Sequence, residues 1–304
     1  MPLHTAPLSR RSFLAQSAAV VAGLTVVRVG WGEQPGSNPH TLALLSDTHI
    51  PESPTVVARD VNMTDNLRQV VREVTSLEAK PAGVIINGDC AYLKGQPADY
   101  ANLAKCVAPL DEAGLPLHVT MGNHDDRGPL YEALKSQKPD RPVVDSKHVT
   151  VIETPRANWL LLDSLTQVNV VTGGLGQEQL QWLDKALAAR TGKPAFVMAH
   201  HNPQFTPPAD GKWTGIQDTS ELFDLLGRHK QVKAFLFGHS HNWSISRRGD
   251  LHLVNLPPVA YVFSPEKPNG WVHAETRENS LSLQLHTIDK QHKQNGEQVN
   301  LEWT

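Results

Sequence analysis

Short apolar runs alternate with longer amphipathic segments over most of the chain. The short runs predict buried strands at 40–46, 83–88, 115–122, 148–153, 158–163, 195–199 and 232–238. The amphipathic segments predict helices at 64–80, 98–113, 129–137, 176–190 and 219–229. In the first of these helices, Thr64 is the predicted N-cap and Pro81 the stop. This alternation is typical of an α/β fold.

The pattern changes after residue 241, where short strands follow one another without helices. These strands are predicted at 243–248, 251–256, 271–277 and 281–289. No linker rich in Pro, Gly or Ser separates the two parts, and no repeat is visible. We therefore predict one domain over residues 38–304, in which the last strands complete a second sheet.

Residues 1–32 differ from the rest of the chain. The stretch SRRSFL is followed by an apolar run rich in Ala and Val, and no acidic residue precedes Glu33. This pattern resembles a twin-arginine signal peptide, which implies the twin-arginine export machinery as a partner and a periplasmic or other extracytoplasmic location. A membrane anchor is the alternative, because no clean cleavage site is visible and the apolar segment is marginal for spanning.

The composition narrows the classes of partner. The chain has 304 residues, of which 39% are hydrophobic and 19% charged, as in soluble globular proteins. A net charge of −3 without a polybasic face argues against a nucleic-acid polymer as partner. Its two cysteines, Cys90 and Cys106, cannot form a structural zinc site. Whether they pair is open, because sequence order does not give the distance between their Cα atoms.

Polar side chains stand just past the carboxyl ends of five predicted strands, where α/β sheets bind ligands. They are Asp47 and His49, then Asp89, then Asn123, His124 and Asp125, then His200 and His201, then His239 and His241. Carboxylate, imidazole and amide oxygen ligands suit Mn, Fe, Zn or Co. One ion cannot use so many ligands, which favours a pair of metal ions. Glycine precedes three of these groups, at Gly88, Gly122 and Gly238, where the backbone can turn tightly.

The ordered set D-x-H, G-D, G-N-H-D, H and G-H-x-H resembles the calcineurin-like metallophosphoesterase superfamily over about residues 40–260. Residues 160–187 are similar to its branch of bacterial class III cyclic-nucleotide phosphodiesterases. The resemblance implies a four-layer αββα sandwich, with two mixed β-sheets packed face to face and flanked by helices. It implies that Asp47, His49 and His241 hold one metal, that Asn123, His200 and His239 hold the other, and that Asp89 bridges them.

The resemblance also implies a reaction. Two divalent or mixed-valence transition-metal ions would lower the pKa of a bridging water, and the resulting hydroxide would attack a small-molecule phosphodiester or phosphomonoester. His124 is not needed as a ligand and would act on the leaving group or on a phosphate oxygen, as general acid or positive donor. Asp125 would orient it. A buried structural histidine is the alternative for His124.

Three alternatives stay open. The chain could be a non-catalytic protein that binds a phosphate ligand or metal on the same fold. It could be a monoesterase similar to purple acid phosphatases, because Tyr92 stands three residues after Asp89, although His49 makes a tyrosine ligand redundant. Finally, His200 and His201 point to opposite sides of an extended chain, so only one can serve the metals. The resemblance favours His200.

Overall fold

Two six-stranded mixed sheets form the centre of the fold, in a computed structural model that describes residues 37–303. The strands are β1 (Ser37–Asn38), β2 (Thr41–Ser46), β3 (Val57–Ala58), β4 (Val61–Asn62), β5 (Lys80–Pro81), β6 (Val84–Asn87), β7 (Leu117–Thr120), β8 (Thr150–Glu153), β9 (Asn158–Leu161), β10 (Ala195–Met198), β11 (Val232–Phe237), β12 (Ser244–Arg248), β13 (Leu251–Asn255), β14 (Gly270–Thr276), β15 (Ser280–Thr287) and β16 (Gln298–Glu302). The first sheet has the order β16-β15-β14-β2-β6-β7 and the second the order β12-β13-β11-β10-β9-β8. The short strands pair as β1-β5 and β3-β4.

Five α-helices flank these sheets. They are α1 (Met63–Thr75), α2 (Pro97–Glu112), α3 (Arg127–Ala133), α4 (Gln177–Ala188) and α5 (Thr219–Arg228). A 3₁₀ turn, Lys135–Gln137, follows α3 where the sequence predicted one longer helix. None of the described helices has the length and apolar character needed to cross a membrane. The predicted export signal, residues 1–32, lies outside the described part of the chain.

Neighbouring apolar residues of one strand fill different layers. Leu44 lies between the two sheets with Phe196, whereas Leu45 faces α1 and α2 with Leu67 and Leu103. Successive side chains of a strand point to opposite faces, so a continuous apolar strand serves both layers. Helices α4 and α5 cover the outer face of the second sheet in the same way. Burying each such side chain contributes about 2 kcal/mol. The predicted four-layer αββα sandwich is confirmed.

The bounds predicted for α1 were wrong at both ends. The N-cap is Asn62, whose side chain accepts a hydrogen bond from the Asp65 N–H at 3.1 Å, while Thr64 lies buried inside the helix. The helix ends at Thr75 rather than at residue 80. Lys80 and the proline after it form β5, which pairs with β1. That pairing is a long-range contact that helix signals cannot reveal.

The C-terminal strands divide between both sheets. Strands β12 and β13 extend the second sheet, and β14, β15 and β16 extend the first. The last of them, β16, was not predicted. Because β14 pairs with β2, the loop before it passes beside the end of β2, where the Val259 and Ala260 N–H groups donate to the carbonyls of Ser46 and Asp47. The loop thereby reaches the polar strand ends.

Parallel strands of both sheets end at the same end of the sandwich. Strands β2, β6 and β7 run parallel in the first sheet, and β9, β10, β11 and β13 run parallel in the second. The N–H of His239, just past β11, donates to the Asp47 carboxylate, just past β2, at 3.1 Å. Polar residues that are far apart in sequence therefore meet across the two sheets.

Candidate metal centre

Six of the predicted ligands lie in one cluster at this end of the sandwich: Asp47, His49, Asp89, His200, His239 and His241. The His49 and His241 Nε2 atoms are 3.0 Å apart. His200 Nε2 lies 3.3 Å from Asp89 Oδ2, and His241 Nε2 lies 3.5 Å from Asp47 Oδ1. All but His239 are buried, so the cluster is shielded from bulk water.

The potential ligand atoms form two neighbouring groups of three. In one, atoms of Asp47, His49 and His241 all lie within 4.8 Å of one another, and in the other the same holds for Asp89, His200 and His239. The groups adjoin, because His49 Nε2 is 3.7 Å from Asp89 Oδ2. A third group overlaps both and consists of His49, Asp89 and His124. The chain thus offers ligands for more than one cation position.

Two of the predicted ligands have buried atoms that no hydrogen bond satisfies, which fits a metal ion. Asn123 Oδ1 and His200 Nε2 are buried without a hydrogen-bond partner, although buried polar atoms almost always have one. Burial alone lowers the pKa of His200, but the Asp89 and Asp47 carboxylates outweigh it and raise that pKa to about 10. The two carboxylates therefore attract positive charge, which a cation supplies in place of the proton. Oxygen and nitrogen donors of this kind form a divalent metal-binding site.

Backbone carbonyls orient two of the imidazoles. His200 Nδ1 lies 2.8 Å from the Asn87 carbonyl oxygen, and His241 Nδ1 lies 2.6 Å from that of Tyr261. A carbonyl can only accept, so Nδ1 carries the proton and donates it. In the neutral ring the Nε2 lone pair is then available to a metal, as in most histidine metal sites.

The backbone is left-handed at most of the clustered residues. Positive φ angles occur at Asp47 (52°), His49 (45°), Asp89 (47°), His239 (66°) and His241 (49°). Residues other than glycine rarely adopt this conformation, and each instance costs about 1 kcal/mol or more. The strand ends are thus turned sharply so that alternate side chains face one centre.

Two of the predicted glycines are needed because other groups approach them closely. A Cβ atom on Gly122 would overlap the Asp89 carboxylate, and one on Gly238 would overlap Ser46 and Asp47. These glycines let the strand ends of β7 and β11 pack directly against the two carboxylates. Their contribution is therefore close packing rather than a special turn.

The two adjacent histidines have separate surroundings. The His200 imidazole faces Asp89, while His201 Nδ1 lies 2.8 Å from Ser164 Oγ. The two rings are nearly perpendicular, at 85°. The His201 ring packs 4.7 Å from that of His239. His200 thus belongs to the cluster, and His201 lies behind it against a second-sheet residue.

His124 lies at the edge of the cluster and is partly exposed. Its backbone N–H donates to Asp89 Oδ1 at 2.9 Å, and its Nδ1 lies 2.5 Å from the Leu93 carbonyl oxygen. Its ring centroid is 5.3 Å from that of His49. The Leu93 carbonyl fixes the ring at Nδ1, which leaves Nε2 for a bound molecule.

Asp125 was predicted to orient the His124 ring, and its carboxylate is directed at the end of β6 instead of at this ring. The fully buried Asp125 carboxylate accepts hydrogen bonds from the N–H groups of Cys90, Ala91 and Gly122 and from the Tyr100 hydroxyl. Burial and the nearby Asp89 raise the pKa of Asp125 to about 6. Asp125 therefore ties the end of β6 to the end of β7, one layer beneath the ligands. Cys90, like Cys106, is a free thiol.

Sequence reasoning missed a second polar pair beside the cluster. Arg127 donates to both carboxylate oxygens of Asp163, from Nε at 2.7 Å and from a terminal nitrogen at 2.8 Å. Asp163 stands just past β9, so the strand-end rule that selected the ligands could also have selected it. Nothing in the sequence identifies its partner.

Comparisons with known proteins agree with this geometry. A model of the calcineurin-like phosphoesterase family matches residues 40–243. The chain is 29% identical over 252 residues to a probable cyclic nucleotide phosphodiesterase of Synechococcus, covering 82% of this chain and 92% of that protein. It is 30% identical over 261 residues to a probable glycerophosphodiester phosphodiesterase of Arcobacter nitrofigilis, covering 81% and 92%. Its fold is similar to that of a dimetal phosphatase from Danio rerio, with a TM-score of 0.66, 16% identity and coverage of 87% and 99%.

Proposed function

Because the chain belongs to the calcineurin-like phosphoesterase family and is a hydrolase of phosphoric ester bonds, we propose that it cleaves small-molecule phosphodiesters with two divalent transition-metal ions. One observation carries the two-ion proposal, namely that two groups of three ligands adjoin where His49 and Asp89 come within 3.7 Å. The names of two similar proteins, one for cyclic nucleotides and one for glycerophosphodiesters, support a diester substrate.

We assign the ligands as follows: Asp47, His49 and His241 to one ion, Asn123, His200 and His239 to the other, and Asp89 to both. The distances within the groups support this division, and the unpartnered Oδ1 atom of Asn123 supports that residue as a further ligand. When bound, two such ions supply the charge that activates water near neutral pH and neutralises the phosphoryl oxygens. The protein's part is to hold the seven side chains rigidly, which the buried strand ends do.

His124 is the proposed general acid. With Nδ1 donating to the Leu93 carbonyl, the protonated ring can give its Nε2 proton to the leaving oxygen. The carbonyl holds the ring in this orientation, and the hydrogen bond from the backbone N–H of His124 to Asp89 keeps the residue beside the proposed ligands. Asp125 acts on this arrangement indirectly, by fixing the turn that carries Asn123 and His124.

We also propose that the chain is exported from the cytoplasm. The SRRSFL stretch supports recognition by the twin-arginine machinery. Replacing Arg10 and Arg11 by lysine should retain the protein in the cytoplasm, as cell fractionation would reveal. If this variant were exported as efficiently as the wild-type chain, the proposed twin-arginine route would be rejected.

A substrate panel on the metal-reconstituted chain tests the proposed function. Metal content is measured first, and turnover of a monoester, a linear diester and a cyclic nucleotide is then compared. The expected result is two ions per chain and faster hydrolysis of one of the two diesters than of the monoester. Two bound ions without hydrolysis of any ester would make the chain a binding protein on the same fold.

A further inference from the structure

An aromatic surface leads from the metal centre to solvent. It is carried by the loop between β13 and β14. The Phe263 ring lies 4.5 Å from the His241 ring, inclined by 29°, and 57% of the residue is exposed. The Tyr261 ring lies 4.9 Å from that of His241 and 5.3 Å from that of His49, nearly parallel to the latter at 22°. One flank of the centre is therefore walled by aromatic rings whose outer end is open.

A guanidinium stacks on the outer end of this surface. The central carbon of Arg59 lies 4.9 Å from the Phe263 ring centroid and 5.6 Å from that of Tyr261. Arg59 and Asp60 form the turn of the β3–β4 hairpin, with φ angles of 51° and 62°. The hairpin therefore presents the arginine to the rim, where the cation–π contact holds the guanidinium against the two rings.

The donors of this guanidinium are available for a ligand. Across residues 37–303, no hydrogen bond or ion pair holds the Arg59 side chain, and Asp60 beside it forms none with it. An arginine stacked on a ring keeps its N–H groups free at its edge, where they can bind a planar anion in a bidentate manner. An arginine that forms an ion pair with a neighbouring carboxylate uses these N–H groups for that pair and cannot offer them to a ligand.

We propose that Arg59, Phe263 and Tyr261 form a recognition subsite for a second anionic group, a carboxylate or phosphate, on the organic substituent of the substrate. This inference rests on the proposed function. The reacting phosphoryl group belongs on the metals, and aromatic rings separate it from Arg59. The exposed Phe263 ring offers apolar contact to the part of the substituent between the two anions.

Two matched diesters test this subsite: 4-nitrophenyl phenyl phosphate and 4-nitrophenyl 4-carboxyphenyl phosphate. They differ only in one carboxylate, and release of both phenols is followed. The wild-type chain is expected to show a kcat/KM about tenfold higher for the carboxylate ester, mainly through KM. Arg59→Gln should lower kcat/KM for the carboxylate ester about tenfold more than for the neutral ester. Arg59→Lys should retain part of the preference, because it keeps the charge but not the planar fork.

Arg248 provides a matched control. Its guanidinium carbon lies 3.8 Å from the ring centroid of Phe205, on the edge strand β12 rather than at the metal centre. Arg248→Gln removes a comparable arginine–phenylalanine stack and should change neither ester. Metal content and thermal unfolding of each variant show whether the fold is intact.

The outcomes separate the two proposals. Equal kcat/KM for both esters in the wild-type chain, or an equal loss on both in Arg59→Gln, would overturn the subsite while leaving the hydrolase in place. Failure to hydrolyse either ester would overturn the proposed diesterase activity and the subsite with it. A preference for the carboxylate ester that also disappears in Arg248→Gln would show general electrostatic attraction and would reject Arg59 as the specific partner.

Discussion

Arg127 and Asp163 join the two sheets by a bidentate ion pair, with contacts of 2.7 and 2.8 Å. Arg127 is the first residue of α3, directly after the turn that carries Asn123 and His124, and Asp163 follows β9 of the second sheet. Asp163 is fully buried and also accepts from the His148 and Leu165 N–H groups. The pair thus holds the turn of one sheet against the end of the other.

Removing the arginine should weaken both fold and activity. Arg127→Leu leaves the buried Asp163 charge without its partner, and the free energy of unfolding should fall by about 2–3 kcal/mol, since a quarter of the Arg127 side chain is exposed. Turnover should fall as well, because the His124 turn is no longer fixed. Urea denaturation and kcat measure the two effects. The exposed pair Arg277–Glu275 is the control, and Arg277→Leu should cost less than about 0.5 kcal/mol.

His124→Ala is expected to keep both metals and lose most turnover. General acid catalysis contributes about 10²- to 10⁴-fold, and the variant should lose a factor in that range. Metal analysis and kcat with an ester of a poor leaving group provide the measurement. His229→Ala, which removes a histidine paired with Asp184 on the surface, should leave both quantities unchanged. Because His49, Asp89 and His124 could also share an ion, loss of metal would make His124 a ligand instead.

The adjacent histidines allow a direct comparison of two single variants. His200→Ala removes the imidazole that faces Asp89 and should cost the chain one metal ion. His201→Ala removes a ring that contacts Ser164 and should retain both ions. Inductively coupled plasma analysis of the two purified variants decides between them. The opposite pattern would reverse the assignment.

Asp89→Asn should weaken both metal positions together. Asp89 Oδ2 lies 3.3 Å from His200 in one group and 3.7 Å from His49 in the other. Even substitutions that only touch a ligand lower metal affinity about 10- to 100-fold, and loss of a bridging carboxylate should exceed that for both ions. Titration of the metal-free chain measures each affinity. Asp47→Asn is the matched variant and should mainly affect one position, so loss of a single ion in Asp89→Asn would contradict bridging.

Much of this site was predictable from sequence because strand ends are local features. Apolar runs followed by Asp, His or Asn identified the clustered residues, and parallel strands bring such ends together. The contacts that hold the cluster in place were not predictable. The carbonyls of Asn87, Leu93 and Tyr261 carry no sequence signal, since every residue has one. Asp125 was assigned to its neighbour in sequence, whereas its carboxylate binds the end of another strand.

The fold shows the same division between local and distant information. The amphipathic periods predicted the helices and the short apolar runs predicted the main strands, and the bounds of α2 differ from the prediction by one residue. The short strands β1 and β5 are defined by their pairing with each other, and no local pattern of apolar and polar residues predicts them. The same holds for the stacking of Arg59 on Phe263, which joins a hairpin near the start of the domain to a loop near its end.

At five positions the requirement for a stable backbone conflicts with the requirement for a metal-binding side chain. They are the residues with a left-handed backbone, Asp47, His49, Asp89, His239 and His241. Glycine adopts this conformation freely, so glycine at any of these positions would relax the backbone of the metal-free chain while deleting a proposed ligand. A screen that rewards the melting temperature of the metal-free chain alone would therefore enrich sequences that lack a proposed ligand. Thermostable variants of this chain should be sought with an activity filter, or with these positions held constant.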